Sequence, residues 1–156
     1  MKFAFAASVL VAYLGSSNVH AQVGVPLRAE VSILRSCVDT SKPDSIYSTC
    51  FGLLAEGCKR RAGADTTVIE AACISYEKQA WEQIFRETVR DTLEHRDAGL
   101  AVQVRRAQTA WMATRQADKN AVLKGFEGGN FAGSYAELAD SREIAKRVQF
   151  FYENFS

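Results

Sequence analysis

The sequence predicts an all-α protein, a small disulfide-stapled helical bundle built on a long antiparallel helix hairpin. Three observations point there. Apolar residues recur at three- and four-residue spacing along most of the chain, and strand-like alternation never runs past a few residues. Turn-forming clusters at 39–43, 62–65, 98–99 and 125–133 cut this pattern into five helical stretches. The four cysteines, an even number, all fall between Cys37 and Cys73.

The first residues stand apart from the bundle. Lys2, the apolar run from Phe3 to Leu14 and the triplet Val19-His20-Ala21 have the form of a secretory signal peptide cleaved after Ala21. The run is too short to cross a bilayer with margin. No cysteine comes directly after the cleavage site, the first being Cys37, so no lipid anchor is expected. The expected organisation is a signal peptide over 1–21 and a single helical domain over 22–156, periplasmic or secreted, with no membrane span after cleavage. Lys2 is the one charged residue of the leader, and the whole chain carries 19 basic and 18 acidic residues. The mature domain is therefore formally neutral, which gives no steering toward nucleic acid or anionic membranes.

Pro26 suits a first helical turn. A helix is expected over 27–38, with Val31, Leu34 and Val38 on one face and Ile33 and Cys37 beside it. A second is expected over 44–60, where Ile46, Tyr47, Cys50, Phe51, Leu54 and Cys58 make one apolar stripe. Lys59, Arg60 and Arg61 complement the dipole at its C-terminal end, a reading preferred here to an anion patch. The spacing of Thr67 and Glu70 is that of a capping box. It opens the longest helix, over 67–97, whose core stripe holds Ile69, Cys73, Tyr76, Ala80, Ile84, Val89 and Leu93, widened by Trp81 and Phe85. Glu82 and Arg86 are expected to pair on its wet face. A fourth helix over 100–124 turns Leu100, Val104, Ala107, Trp111 and Val122 inward. The glycine-rich loop follows, with Phe126 and Phe131 expected beneath it. The last helix, over 134–154, buries Tyr135, Leu138, Ala145, Val148, Phe151 and Tyr152, and Glu143 and Arg147 are expected to pair in solvent.

Four cysteines allow three pairings. Cys50 and Cys58, eight apart on one expected helix, would lie about 12 Å apart, beyond the roughly 7 Å a disulfide spans. Two connectivities remain. The preferred one joins Cys37 to Cys50 and Cys58 to Cys73, since the latter two flank the 62–65 turn at similar distances. A four-thiolate zinc site is disfavoured because no C-x2-C pair is present and export favours oxidation.

The residues show no catalytic apparatus. His95 is the lone histidine of the mature domain and sits near a helix end, where a histidine serves the dipole or solvent. No nucleophile elbow, phosphate loop or H-E-x-x-H occurs. Glu94-His95 does not match the Glu-x-x-His spacing of di-iron bundles. No catalytic residue, cofactor or metal site is assigned.

One set of residues carries a resemblance. Glu77 with Trp81-Glu82, then Gln108, Trp111 and Arg115, then Gly128-Gly129-Asn130, then Arg142 and Arg147 stand in an order and spacing similar to the N-terminal domain of LprI-type lysozyme inhibitors, over about residues 73–155. That family usually carries two further cysteines that tie the tryptophan helix to the last helix, and here Lys119 and the 137–139 stretch stand near those places. The resemblance implies an exported, non-enzymatic binding protein whose partner is a lysozyme or another envelope protein. Gln108, Trp111, Arg115, Gly128 and Gly129 read as structural members of the motif. The protruding segment that includes Lys124, Glu127 and Asn130 is the expected partner contact, and Glu127, Glu137 and Asp140 form a local acidic patch to meet a basic lysozyme. The alternative is an envelope interaction or stress protein with an unrelated partner.

Overall fold

A computed structural model describes residues 28–63, 66–127, 129 and 131–155. The expected signal peptide, Pro26, Gly128 and Asn130 lie outside the described residues. Six α-helices and one 3-10 turn account for nearly all of these residues, and none of the described residues is in a strand. The helices are α1 Arg28–Thr40, α2 Ile46–Cys50, α3 Leu53–Ala62, α4 Thr67–Glu94, α5 Ala98–Gly125 and α6 Ala132–Phe155, with the 3-10 turn at Pro43–Ser45.

α1 forms where expected and buries Val31, Leu34 and Val38, whereas Ile33 points to solvent. The second expected helix is broken in two. Phe51 is extended, and Gly52 adopts φ 90°, a left-handed conformation that a side chain disfavours. The cause lies in another helix. The carboxylate of Glu77 on α4 accepts the N–H of Gly52 at 2.7 Å and of Ala55 at 2.8 Å, and so caps the N-terminus of α3 from outside. At the far end Gly63, φ 64°, closes α3.

The helix that follows starts one residue earlier than the expected box. Thr66, not Thr67, is the cap, and its side-chain oxygen accepts from Ile69 N–H at 3.3 Å. α4 ends at Glu94 rather than Asp97, because Asp97 instead caps α5 by accepting from Leu100 N–H at 3.0 Å. His95 sits at the C-cap of α4 with Nδ1 2.7 Å from the Asp91 carbonyl oxygen.

Cys37 is bonded to Cys50, with Cα atoms 5.9 Å apart, and Cys58 to Cys73, with Cα atoms 5.6 Å apart. The first ties α1 to α2 and the second ties α3 to α4. The break at Gly52 removes the continuous helix from which the Cys50–Cys58 pairing was excluded. Each bridge closes a loop of a length that contributes about 3 kcal/mol through the unfolded state.

α4, α5 and α6 run up, down and up. Phe85 meets Trp111 while Glu82 meets Arg115, so α4 and α5 are antiparallel. α6 lies in the angle between them and packs on both. This position explains the burial pattern. Ile144, Ala145, Val148 and Phe151 of α6 and Ala80, Trp81 and Ile84 of α4 are almost wholly buried. α5 buries only Ala101 and Val104. Ala107, expected inward, is exposed, and Leu100, Trp111 and Val122 are half-buried. Phe126, Phe131 and Tyr135, also expected inward, are each close to half exposed.

Candidate functional site

Of the residues singled out in the sequence, Glu77, Trp81, Glu82, Gln108, Trp111, Arg115 and Arg147 lie on α4, α5 and α6 and, with their neighbours, fall into three layers, whereas Arg142 is exposed.

The deepest is Glu77 with Trp81. Glu77 is 2 % exposed and Trp81 is fully buried. Besides the two backbone N–H groups of α3, Glu77 accepts from the Trp81 indole N–H at 2.9 Å. Three donors on one buried carboxylate satisfy it, and charge-assisted bonds of this kind are stronger than neutral ones. The acid and the tryptophan four residues on therefore form a joint between the stapled helices and the long ones.

The middle layer is a charge cluster. Lys78 and Glu82 of α4, Arg115 and Lys119 of α5, and Glu137 and Asp140 of α6 come together, three cations and three anions from three helices. Each pair is three or four residues apart, which puts its members on one helix face. Arg115 grips Asp140 with two nitrogens, Nε on Oδ1 and Nη2 on Oδ2 at 3.0 Å, and Nη2 also reaches Glu82 at 3.0 Å. Lys78 donates to Glu137 and to Asp140, the latter at 3.4 Å, and Lys119 pairs with the same two acids. Burial alone would raise the Asp140 carboxyl, but the hydrogen bond and charge of Arg115, with Lys78 and Lys119, outweigh it and hold Asp140 below the usual carboxylate value. Glu137 is lowered in the same way by Lys119 and Lys78 against the effect of burial. Burial would likewise lower Lys78 and Arg115, yet Glu137 raises the first and Asp140 the second.

Two expectations change here. Glu82 pairs with Arg115 rather than Arg86, because α5 and α6 bring a bidentate arginine to the face that looked solvated. Glu137 and Asp140 do not make an acidic patch, because three cations neutralise them. Where the family resemblance places a disulfide between the tryptophan helix and the last helix, this chain has the ion pair of Lys119 and Glu137.

The outer layer surrounds Trp111. Two guanidinium groups lie over its ring, Arg115 at 5.6 Å and Arg147 at 5.5 Å, and Phe85 meets it at 5.1 Å. Arg147 also lies 4.6 Å from the Phe150 ring and 5.5 Å from that of Phe151. Unlike Arg115, it meets no carboxylate among the described residues. Glu143, its expected partner, pairs with Lys146 at 3.0 Å. Burial lowers Arg147 from the ordinary guanidinium value with nothing opposing it. Gln108 lies one turn before Trp111, and neither atom of its amide has a hydrogen-bond partner although both are buried.

At the far end of the α5–α6 pair, Lys124 and Glu127 are exposed, and Phe126 stacks on Tyr135 with ring centroids 4.8 Å apart. Gly129 donates its N–H to the Phe126 carbonyl at 2.8 Å, and a Cβ on Gly129 would come within 3.1 Å of that oxygen. The described residues include no group of three His, Cys, Asp or Glu side chains able to hold a metal ion, and no described helix is long and apolar enough to cross a membrane.

Residues 58–149, more than half of the chain, match the family described as Lysozyme inhibitor LprI. The chain belongs to the LprI lysozyme inhibitor family. The matched span begins at Cys58 and takes in Glu77, Trp81, the whole charge cluster, Trp111 and Arg147. Searches of curated proteins and of solved structures return no match. Three residues to which the sequence assigned no such contact stand out in this LprI chain. Lys78 and Lys119 were legible in principle, as cations at four-residue spacing from Glu82 and Arg115. Gln149 was not. It accepts from Tyr47 N–H at 2.8 Å and donates to the Asp44 carbonyl at 3.1 Å, a contact across about a hundred residues of sequence.

Proposed function

We propose that the protein is exported and acts without chemistry of its own, as a binding protein that occludes a lysozyme. Membership of the LprI family over residues 58–149 carries this reading. The two disulfides fit an oxidising compartment, as the leader-like first residues do. The acids of the central cluster are all held in ion pairs across helices, a use that suits a rigid scaffold better than acid–base catalysis.

The contact surface we propose is the α5–α6 end. Lys124 and Glu127 supply exposed charges, and Asn130 lies in the same segment. Phe126, Tyr135 and Phe131 add large exposed aromatic surface beside them. Aromatic residues ringed by polar ones are the usual make-up of an interface centre. The motif residues Trp111, Arg115 and Gly129 serve to position this surface.

The test is a turbidity assay of lysozyme lysis with the oxidised mature protein. Lysis is expected to slow in proportion to added protein, and Phe126→Ala with Tyr135→Ala is expected to weaken the effect by about tenfold or more, as for interface anchors worth about 2 kcal/mol together. Lysis unchanged by a large molar excess of the protein would contradict the reading.

A further inference from the structure

A cavity of about 170 Å³ opens between the first turns of α4 and α6, beside the aromatic residues of the proposed contact end. Ile74, Leu138, Phe131 and Tyr135 give it apolar walls. Phe131 and Tyr135 are 49 % and 48 % exposed, so a ligand can reach them. Among the described residues that line the cavity, Glu70 alone is charged. Glu70 is exposed and meets no cation among the described residues. A second cavity, of about 120 Å³, shares Glu70, Ile74 and Leu138 with the first and continues the groove toward α3. Of the charged groups there, Lys59 is paired with Glu56, and Glu77 is taken up by three N–H donors. The groove therefore combines accessible apolar surface with an excess of negative charge.

We propose that this groove is a docking site for a basic side chain, Arg or Lys, of a partner polypeptide. The inference deepens the proposed function and rests on its reading of the aromatic end as the contact surface, with which the groove shares Phe131 and Tyr135. Shape and charge together select the occupant. A long basic side chain has an apolar stem to lie along Ile74 and Leu138 and a charged head to reach Glu70, as such side chains do where apolar surface borders water. The rings of Phe131 and Tyr135 add the attraction of an aromatic face for a cation. An acidic side chain would meet the like charge of Glu70. Glu70 also answers the dipole at the start of α4, but a helix end carries only about half a charge, so negative charge is left for a ligand. A cavity of about 170 Å³ is smaller than the sites of roughly 300–1,000 Å³ that hold small organic ligands, and it suits one side chain presented from a larger surface.

The test uses the full oxidised chain and contains no lysozyme, so its failure is distinct from that of the lysis assay. Methyl signals of Ile74 and Leu138 are followed by nuclear magnetic resonance during titration to about 20 mM with acetyl-Ala-Arg-Ala-amide and with its Gln, Leu and Glu counterparts. The Arg peptide is expected to shift both signals saturably, and to bind about fivefold or more tightly than each of the others. Glu70→Gln, a change at an exposed helix position, is expected to bring the Arg and Gln peptides to equal affinity. Phe131→Ala, a second variant with Glu70 intact, is expected to weaken the Arg peptide and to keep its preference over Gln. Equal affinity of the Arg and Gln peptides for the parent overturns the proposal, as does a preference that survives Glu70→Gln or the absence of a saturable shift. So does tightest binding of the Leu peptide, which makes the groove a purely apolar site, or of the Glu peptide, which makes it an anion site at the starts of α4 and α6.

Discussion

Glu77 shows how much one side chain can settle. Its carboxylate is nearly inaccessible and takes three N–H donors from two helices. Glu77→Gln replaces one acceptor oxygen by a donor that faces backbone N–H groups. A loss of about 2–3 kcal/mol is expected, read as a lower urea midpoint with an unchanged slope; an unchanged midpoint counts against the joint. The two arginines flanking Trp111 make a contrasting pair. Arg115→Met leaves Asp140, which is 5 % exposed, to the longer contacts of Lys78 and Lys119, and is expected to cost about 2–3 kcal/mol. Arg147→Met removes a desolvated cation that has no partner to strand, so its unfolding free energy is expected to stay within about 0.5 kcal/mol of the parent or to rise. Equal losses in the two variants would show that Arg147 has an intramolecular partner. None of this difference was legible in the sequence, where Arg115 and Arg147 look alike. Which arginine meets a carboxylate depends on α6 lying between α4 and α5.

At the scale of elements, the sequence reads well where a helix carries its own signals and poorly where another helix decides. α1 and the extents of α4, α5 and α6 follow from apolar spacing and turn residues. The break at Gly52 does not, because its cap comes from Glu77, twenty-five positions on. Nor does the exposure of Tyr135, Phe126 and Phe131, because apolar character marks a core face and a contact face identically. α5 has little core for its length, and the charge cluster attaches its second half to α4 and α6. That attachment has a pH dependence of definite sign. Glu137 and Asp140 are held below their usual values, so their stabilisation is complete above the ordinary carboxyl value of about 4. It is lost as pH falls through their lowered values. Amide exchange in the second half of α5, corrected for the intrinsic effect of pH, is therefore expected to gain on that of α4 as the solution is acidified below about pH 4. Parallel loss of protection in the two helices would argue that the cluster does not hold α5.

Taken whole, the molecule is fastened in two ways. Covalent bridges hold α1 to α2 and α3 to α4, and charge holds α4, α5 and α6. Glu77, Trp81 and Gln149 join the two parts. Reduction of both disulfides is expected to lower stability by several kcal/mol, about 3 for each bridge, and to loosen α1 to α3 first. A disulfide-tied bundle with a charge cluster between its long helices and aromatic residues exposed at one end suits a protein that works by occupying a surface. Sedimentation velocity of the oxidised protein mixed with lysozyme tests that most directly. An equimolar complex that sediments faster than either component is predicted, and it should be lost in the Phe126→Ala, Tyr135→Ala variant while the helical circular dichroism spectrum is kept. Independent boundaries for the two proteins at micromolar concentration would contradict it.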